Sequence, residues 1–214
     1  MDEAAIHVLI PLAIGAYVIG SIPTAVIVVK RFTGQDVMAL GTGNMGTLNT
    51  LRATNSKTLT IVVLLGDMGK GALALLLGWG VATGFGYEAQ LAMTVAGITA
   101  IVGHNYSIFL KLKGGKGLAT AFPVLLFIEP ALVGVWIGTF LVTVALTRLM
   151  VGGQIMGTVA APLVGLFVYP DTAIPAGILA AIIFIKHAPR IKNIIDGTEP
   201  RMYYKIRKQG EGEA

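Results

Sequence analysis

No cysteine occurs in the 214-residue chain. Thiol nucleophiles, thiolate metal ligands and disulfides are thereby excluded together. Charge is scarce as well, at 13% of residues against about 25% in an average soluble domain, while 55% of the chain is apolar. A soluble domain with a large core leaves long uncharged runs unexplained, so the composition is that of a membrane protein. The beginning lacks the basic stretch and small-residue cleavage site of a signal peptide, and Asp2 and Glu3 argue against one. The first apolar run is therefore expected to remain as a span. A Gly-x4-Gly-Lys-Ser/Thr phosphate loop is missing too, which removes support for nucleotide hydrolysis.

What is present is a series of seven apolar runs: Ile6–Val29, Leu59–Thr83, Ala89–Leu110, Leu118–Ile128, Ala131–Leu146, Met150–Tyr169 and Thr172–Ile185. A span needs about 20 apolar residues, so the fourth run is short and the last marginal; tilting or local thinning of the bilayer accommodates such lengths. The charges between the runs have a pattern. Lys30, Arg31, Arg52, Lys57, Lys111, Lys113, Lys116, Arg148 and the basic residues from Lys186 onward fall on one side of seven crossings. Asp2, Glu3, Glu88, Glu129 and Asp171 fall on the other, with no lysine or arginine. The positive-inside rule then predicts an all-α polytopic membrane protein with seven transmembrane helices, the N-terminus outside and the C-terminus in the cytoplasm. Residues 1–214 read as one integral membrane domain, with 199–214 a flexible basic tail attracted to anionic lipid rather than to nucleic acid. Gly134 and Gly138 form a GxxxG on the fifth run, a pattern more often used for helix packing than for chemistry.

Four polar clusters lie at or near the basic side, one of them running from Gly103 into the lysine–glycine loop. Lys111-Leu112-Lys113-Gly114-Gly115-Lys116-Gly117 sits directly between two lipid-grade segments. Lysines there call for an anion, and glycines at a helix N-terminus can offer backbone N–H groups to a phosphate. Gly41–Arg52 combines glycines, hydroxyls and amides that could wrap an oxyanion, with Arg52 able to grip a phosphate by two parallel hydrogen bonds; a flexible helix-capping loop fits its composition better. Asp67 and Lys70 share a helix face three residues apart, and either serve function or fix helix orientation. His104, in Gly103-His104-Asn105-Tyr106, stands about two helical turns before the lysine–glycine loop. Lys186-His187-Ala188-Pro189-Arg190 ends the last run and also reads as a headgroup anchor.

In this order and at these distances, the motifs resemble those of the bacterial glycerol-3-phosphate acyltransferases that use acyl phosphate, the PlsY type. The residues concerned are Gly41–Gly46 with Asn49 and Arg52, Asp67 with Lys70-Gly71, Gly103–Tyr106, Lys113–Gly117 with Ala119-Thr120, and His187 with Gly197. The resemblance implies seven helices and a cytoplasmic active site in the bacterial plasma (inner) membrane. It implies transfer of a fatty acyl group from acyl phosphate to the 1-hydroxyl of glycerol 3-phosphate, giving lysophosphatidic acid and phosphate. It also implies a functional link to an enzyme that forms acyl phosphate, and a substrate phosphate that assists proton removal. An activated acyl donor needs neither a protein nucleophile nor a metal, so no cofactor is expected. The His-x4-Asp signature of another acyltransferase superfamily is not found around His7, His104 or His187.

On this basis Lys116 and Thr42 are expected to hold the phosphate of acyl phosphate, and Arg52 and His187 glycerol 3-phosphate. Gly43, Asn44, Asn49, Lys70, His104, Asn105, Lys113, Gly114, Gly115, Gln154 and Arg190 are expected to line the substrates. The chain departs from the family pattern at four places: Thr42 stands for serine, Leu48 for threonine, Val151-Gly152-Gly153-Gln154 for a serine-bearing stretch, and Arg190 for asparagine. Two rival readings are a non-catalytic relative that binds lipid or acyl phosphate, and a small anion transporter built around the Gly66–Gly71 interruption.

Overall fold

The computed structural model describes residues 3–201. Its helices are α1 (Glu3–Ser21), α2 (Thr24–Thr33), α3 (Thr47–Thr54), α4 (Lys57–Phe85), α5 (Ala89–Asn105), α6 (Leu118–Ile128), α7 (Pro130–Thr147), α8 (Met150–Val168), α9 (Pro170–His187) and α10 (Pro189–Ile195). Short 3-10 turns follow α2 and α5, and no strand occurs among the described residues. Five helical segments are long and apolar enough to cross a membrane: Ile6–Thr33, which joins α1 and α2, then Lys57–Phe85, Ala89–Leu110, Pro130–Thr147 and Met150–Val168. The pair α9 and α10, bent by 60°, makes a sixth. The fourth apolar run coincides with α6, whose 11 residues reach about 16 Å, roughly half of a hydrocarbon core.

The ends of these helices are chemically specified. Ser56 caps α4 by accepting from the Leu59 N–H at 3.3 Å. Glu88 accepts from Gln90 and Leu91, each at 3.0 Å, and Glu129 from Ala131 at 3.1 Å just before Pro130 opens α7. Two of the acids expected on the lysine-free side are thus helix caps at positions that also favour negative charge.

Small residues let the helices cross closely, as membrane packing requires. Methyl groups added at Gly20 and Gly103 would strike the Ala100 and Tyr17 backbones, so α1 and α5 meet backbone to backbone. Gly153 and Gly157 of α8 receive the Phe140 and Trp136 side chains of α7. The GxxxG at Gly134 and Gly138, expected to pack helices, does not do so among the described residues: both glycines are exposed, and a Cβ added at either would meet nothing within 4 Å. Close packing by glycines four apart belongs instead to α8.

Candidate active site

The site is built on a broken helix. Pro23 has no N–H and separates α1 from α2, which leaves carbonyls at the break in need of donors. The Ser107 hydroxyl donates to Ser21 O at 2.5 Å, and the Lys70 ammonium donates to Ile22 O at 2.9 Å. Lys70 also meets Asp67 at 2.8 Å and His104 Nδ1 at 3.1 Å. All three side chains are buried. The other face of the His104 ring lies against Gly115, where a Cβ would collide with Nε2. This charge network therefore braces the lysine–glycine loop from beneath.

Glycine in that loop has a second purpose. The Gly115 N–H is already bonded to His104 O at 3.0 Å, so it is not the open anion donor the sequence suggested. A methyl at Gly114 would run into the His104 and Asn105 carbonyls. Gly117, at φ +82°, caps α6 in the left-handed region and leaves room for the Asn105 amide. Asn105 is itself buried, with Nδ2 donating to Ile182 O at 3.4 Å and Oδ1 lacking a hydrogen-bond partner among the described residues. Between these pinned glycines Lys116 is held half-buried, whereas Lys113 is exposed.

The segment before α3 is organised by Asn49. Its Oδ1 accepts from the Thr42 N–H at 2.7 Å and the Thr42 hydroxyl at 3.1 Å. Its Nδ2 donates to Val37 O at 2.9 Å and Leu40 O at 3.1 Å. Asn44 closes a small turn by accepting from Gly46 N at 2.8 Å. Gly43, at φ +67°, and Thr42 are exposed on the rim, with Leu48 half-buried behind. The loop whose composition suggests flexibility is thus tied to a buried asparagine.

Four charged groups from separate parts of the chain share one electric field. Lys116 lies outside the apolar spans, and its ammonium pKa falls from 10.5 to about 8. Burial is the main cause, followed by the repulsion of Arg190; Glu199 opposes the fall and Arg52 adds to it. One terminal nitrogen of Arg190 straddles the Glu199 carboxylate at 2.9 and 2.8 Å, while the buried Arg190 Nε has no hydrogen-bond partner among the described residues. His187 completes the group. Its Nδ1 is 2.9 Å from Ile183 O, and its Nε2 is 3.3 Å from the Gln154 amide.

An apolar cleft runs between α6, α7, α8 and α9. It begins at Leu118, two residues after Lys116, and at Ile183, one helical turn before His187. Ala176 and Val133 lie farther down the same cleft. Its lining is hydrocarbon, apart from Trp136 and Thr158, which bond to each other at 3.3 Å. A cationic mouth over an apolar slot suits an amphiphile with an anionic head.

The structure brings together Lys116, Arg52, His187, Gln154 and Arg190 and sets Thr42, Gly43 and Asn44 on a neighbouring rim. Lys70, His104 and Asn49, expected to contact substrate, have the polar atoms named above engaged by the chain itself. Glu199, expected in the flexible tail, is instead buried and ion-paired, because Arg190 needs a counter-charge. The remainder of that tail, from residue 202, lies outside the described residues. Sequence reading missed Glu199 and Trp136. A lone acid after Gly197 was the available signal for the first, and the second had none.

Comparison with known proteins gives one answer. The family model described as glycerol-3-phosphate acyltransferase matches residues 10–197. A glycerol-3-phosphate acyltransferase of Trichlorobacter lovleyi is 38% identical over 189 residues, covering 87% of this chain and 94% of that one. One from Thermus thermophilus is 39% identical over 192 residues, covering 87% and 92%. The crystal structure of PlsY (YgiH), an integral membrane glycerol 3-phosphate acyltransferase in its glycerol 3-phosphate form, superposes with a TM-score of 0.76 at 28% identity, covering 90% of this chain and 94% of that one. Its lysophosphatidic acid form gives 0.75 at 27% identity, with the same coverage of 90% and 94%.

Proposed function

Since the chain belongs to the glycerol-3-phosphate acyltransferase family, we propose that it transfers a fatty acyl group from acyl phosphate to the 1-hydroxyl of glycerol 3-phosphate. The observation that carries this reading is the convergence of Lys116, Arg52, Arg190 and His187 at the mouth of an apolar cleft. Two anionic heads and one alkyl chain match that arrangement. Lys116, with the Thr42 hydroxyl nearby on the rim, takes the phosphate of acyl phosphate, and the chain enters the cleft. Arg52 and His187 hold glycerol 3-phosphate, the His187 Nε2 exchanging its Gln154 contact for the ligand, and Gln154 and Arg190 stand beside them in place of the family's serine and asparagine.

The hydroxyl oxygen attacks the acyl carbonyl carbon, forming the new ester bond. The carbon–oxygen bond to phosphate then breaks, and the hydroxyl proton leaves on a substrate phosphate. The protein contributes orientation and positive charge opposite the developing oxyanion. Lys70, His104, Asn49, Asn105, Gly114 and Gly115 act as positioning residues for the two loops.

The finer topology belongs to the same proposal. Seven crossings, with α6 placed where the bilayer is thinned, would put the N-terminus outside and the cluster on the cytoplasmic face of the bacterial inner membrane. There an acyl-phosphate-forming enzyme supplies the donor and the product enters phospholipid synthesis.

The test is phosphate release by purified protein given palmitoyl phosphate, with and without glycerol 3-phosphate. Release that requires glycerol 3-phosphate, with lysophosphatidic acid appearing in step, is expected. Folded protein that binds acyl phosphate but releases nothing would replace the enzyme with a binding relative.

A further inference from the structure

Resting on the acyltransferase reading, we propose that Trp136 is a specificity-determining residue that admits unbranched acyl chains and rejects branching near the carbonyl. Ala121, Ala161, Ala176 and Ala180 make much of the cleft lining small, and the Trp136 indole is its largest side chain. The indole is also fixed. Its Nε1–H donates to Thr158 Oγ1 at 3.3 Å, and that hydroxyl donates to Gln154 O at 2.7 Å. The ring stacks on Phe140, with centroids 5.2 Å apart and planes 8° from parallel. Gly157 lies against the indole so closely that an added Cβ would be 3.0 Å from two ring atoms. Such a wall cannot swing aside for a wider ligand.

Its level in the cleft follows from helix geometry. Thr158 lies four residues beyond Gln154 on α8, about 6 Å along the axis, and Gln154 touches His187. The indole therefore stands abreast of the first few carbons of a chain whose carbonyl lies at the cationic mouth. Beyond it the cleft continues along α9 from Ile183 to Ala176, about 10 Å farther. A flexible straight chain passes the indole, but a methyl branch at that level meets it.

The experiment compares palmitoyl phosphate with the same donor bearing a methyl group on its third carbon. One extra carbon in a shaped apolar pocket changes selectivity by roughly 10- to 200-fold. The unaltered protein is expected to favour the straight donor in kcat/KM by at least about tenfold. Trp136→Ala should bring the ratio near one with the KM for glycerol 3-phosphate unchanged. Trp136→Phe, which keeps an aromatic ring against Phe140, should fall between and serves if the alanine variant does not fold. An unchanged ratio in the variants, or no preference in the unaltered protein, overturns the proposal.

Thermal shifts with straight and branched alkyl phosphates separate this inference from the reading beneath it. Discrimination in Tm that disappears with Trp136, in a protein that turns nothing over, would uphold the wall and remove the acyltransferase. Turnover with an undisturbed ratio would do the reverse.

Discussion

Lys116 is the residue on which most depends. It is the lysine of its loop held half-buried, its charge faces two arginines, and it stands two residues before the cleft opens at Leu118. Lys116→Ala should lower kcat by about 100- to 1,000-fold, the usual cost of losing a charge-stabilising donor, with Tm nearly unchanged; normal turnover would remove the assignment. Its ammonium is charged below its pKa of about 8 and neutral above it. The kcat/KM for acyl phosphate should therefore fall as pH rises through about 8. Removing the repulsive Arg190 raises that pKa, so Arg190→Asn should move the fall to higher pH. Removing the attractive Glu199 lowers it, so Glu199→Gln should move the fall to lower pH. A midpoint unaffected by either change would show that another group titrates. Leu48→Thr, which restores the family's hydroxyl, should be neutral or beneficial in the same assay. The cations were legible in the sequence because lysine between apolar runs has little other use. The partnership of Arg190 with Glu199 was not legible, since an ion pair nine residues apart across a turn leaves no periodic mark.

The helices show where residue type and role separate. Spacing alone puts Asp67 and Lys70 on one face, as observed, but leaves open whether they serve chemistry or architecture. The Pro23 break gives Lys70 and His104 an architectural use: a broken helix needs donors, and the loop needs a backing. Removing one member of a buried pair strands its partner at a cost of about 3–5 kcal/mol. Lys70→Met should therefore depress Tm strongly, and Asp67→Asn combined with it should recover part of the loss. If the double variant is as unstable as the sum of the two single ones, the pair is not coupled. Gly115→Ala should cost about 1–3 kcal/mol from overpacking against His104. Turnover should fall by more than the lost stability accounts for, as measured by activity against Tm. Glycine composition suggested a phosphate cradle, whereas the contacts of Gly114 and Gly115 also demand a close approach to α5. Composition cannot tell these two uses apart, because each asks only for a missing side chain.

For the molecule as a whole, apolar run length located the helices closely, since a bilayer imposes its thickness on sequence. It did not reveal the break at Pro23 or the bend between α9 and α10, which are decided by where prolines fall and what receives the freed carbonyls. The proposed orientation has a direct check in a chain without cysteine. A membrane-impermeant maleimide applied to intact cells should label Asp171→Cys and leave Gln35→Cys untouched; the opposite pattern would invert the topology. Arg52, Lys116 and the Arg190–Glu199 pair come from distant stretches, and this separation sets an order in time. During synthesis at about 5–20 residues per second, Arg52 precedes Glu199 by roughly 7 to 30 s. Until then Arg52, Lys116 and, last of the three, Arg190 wait without their carboxylate. A chain halted just before Glu199 carries all three cations and lacks the carboxylate that offsets them.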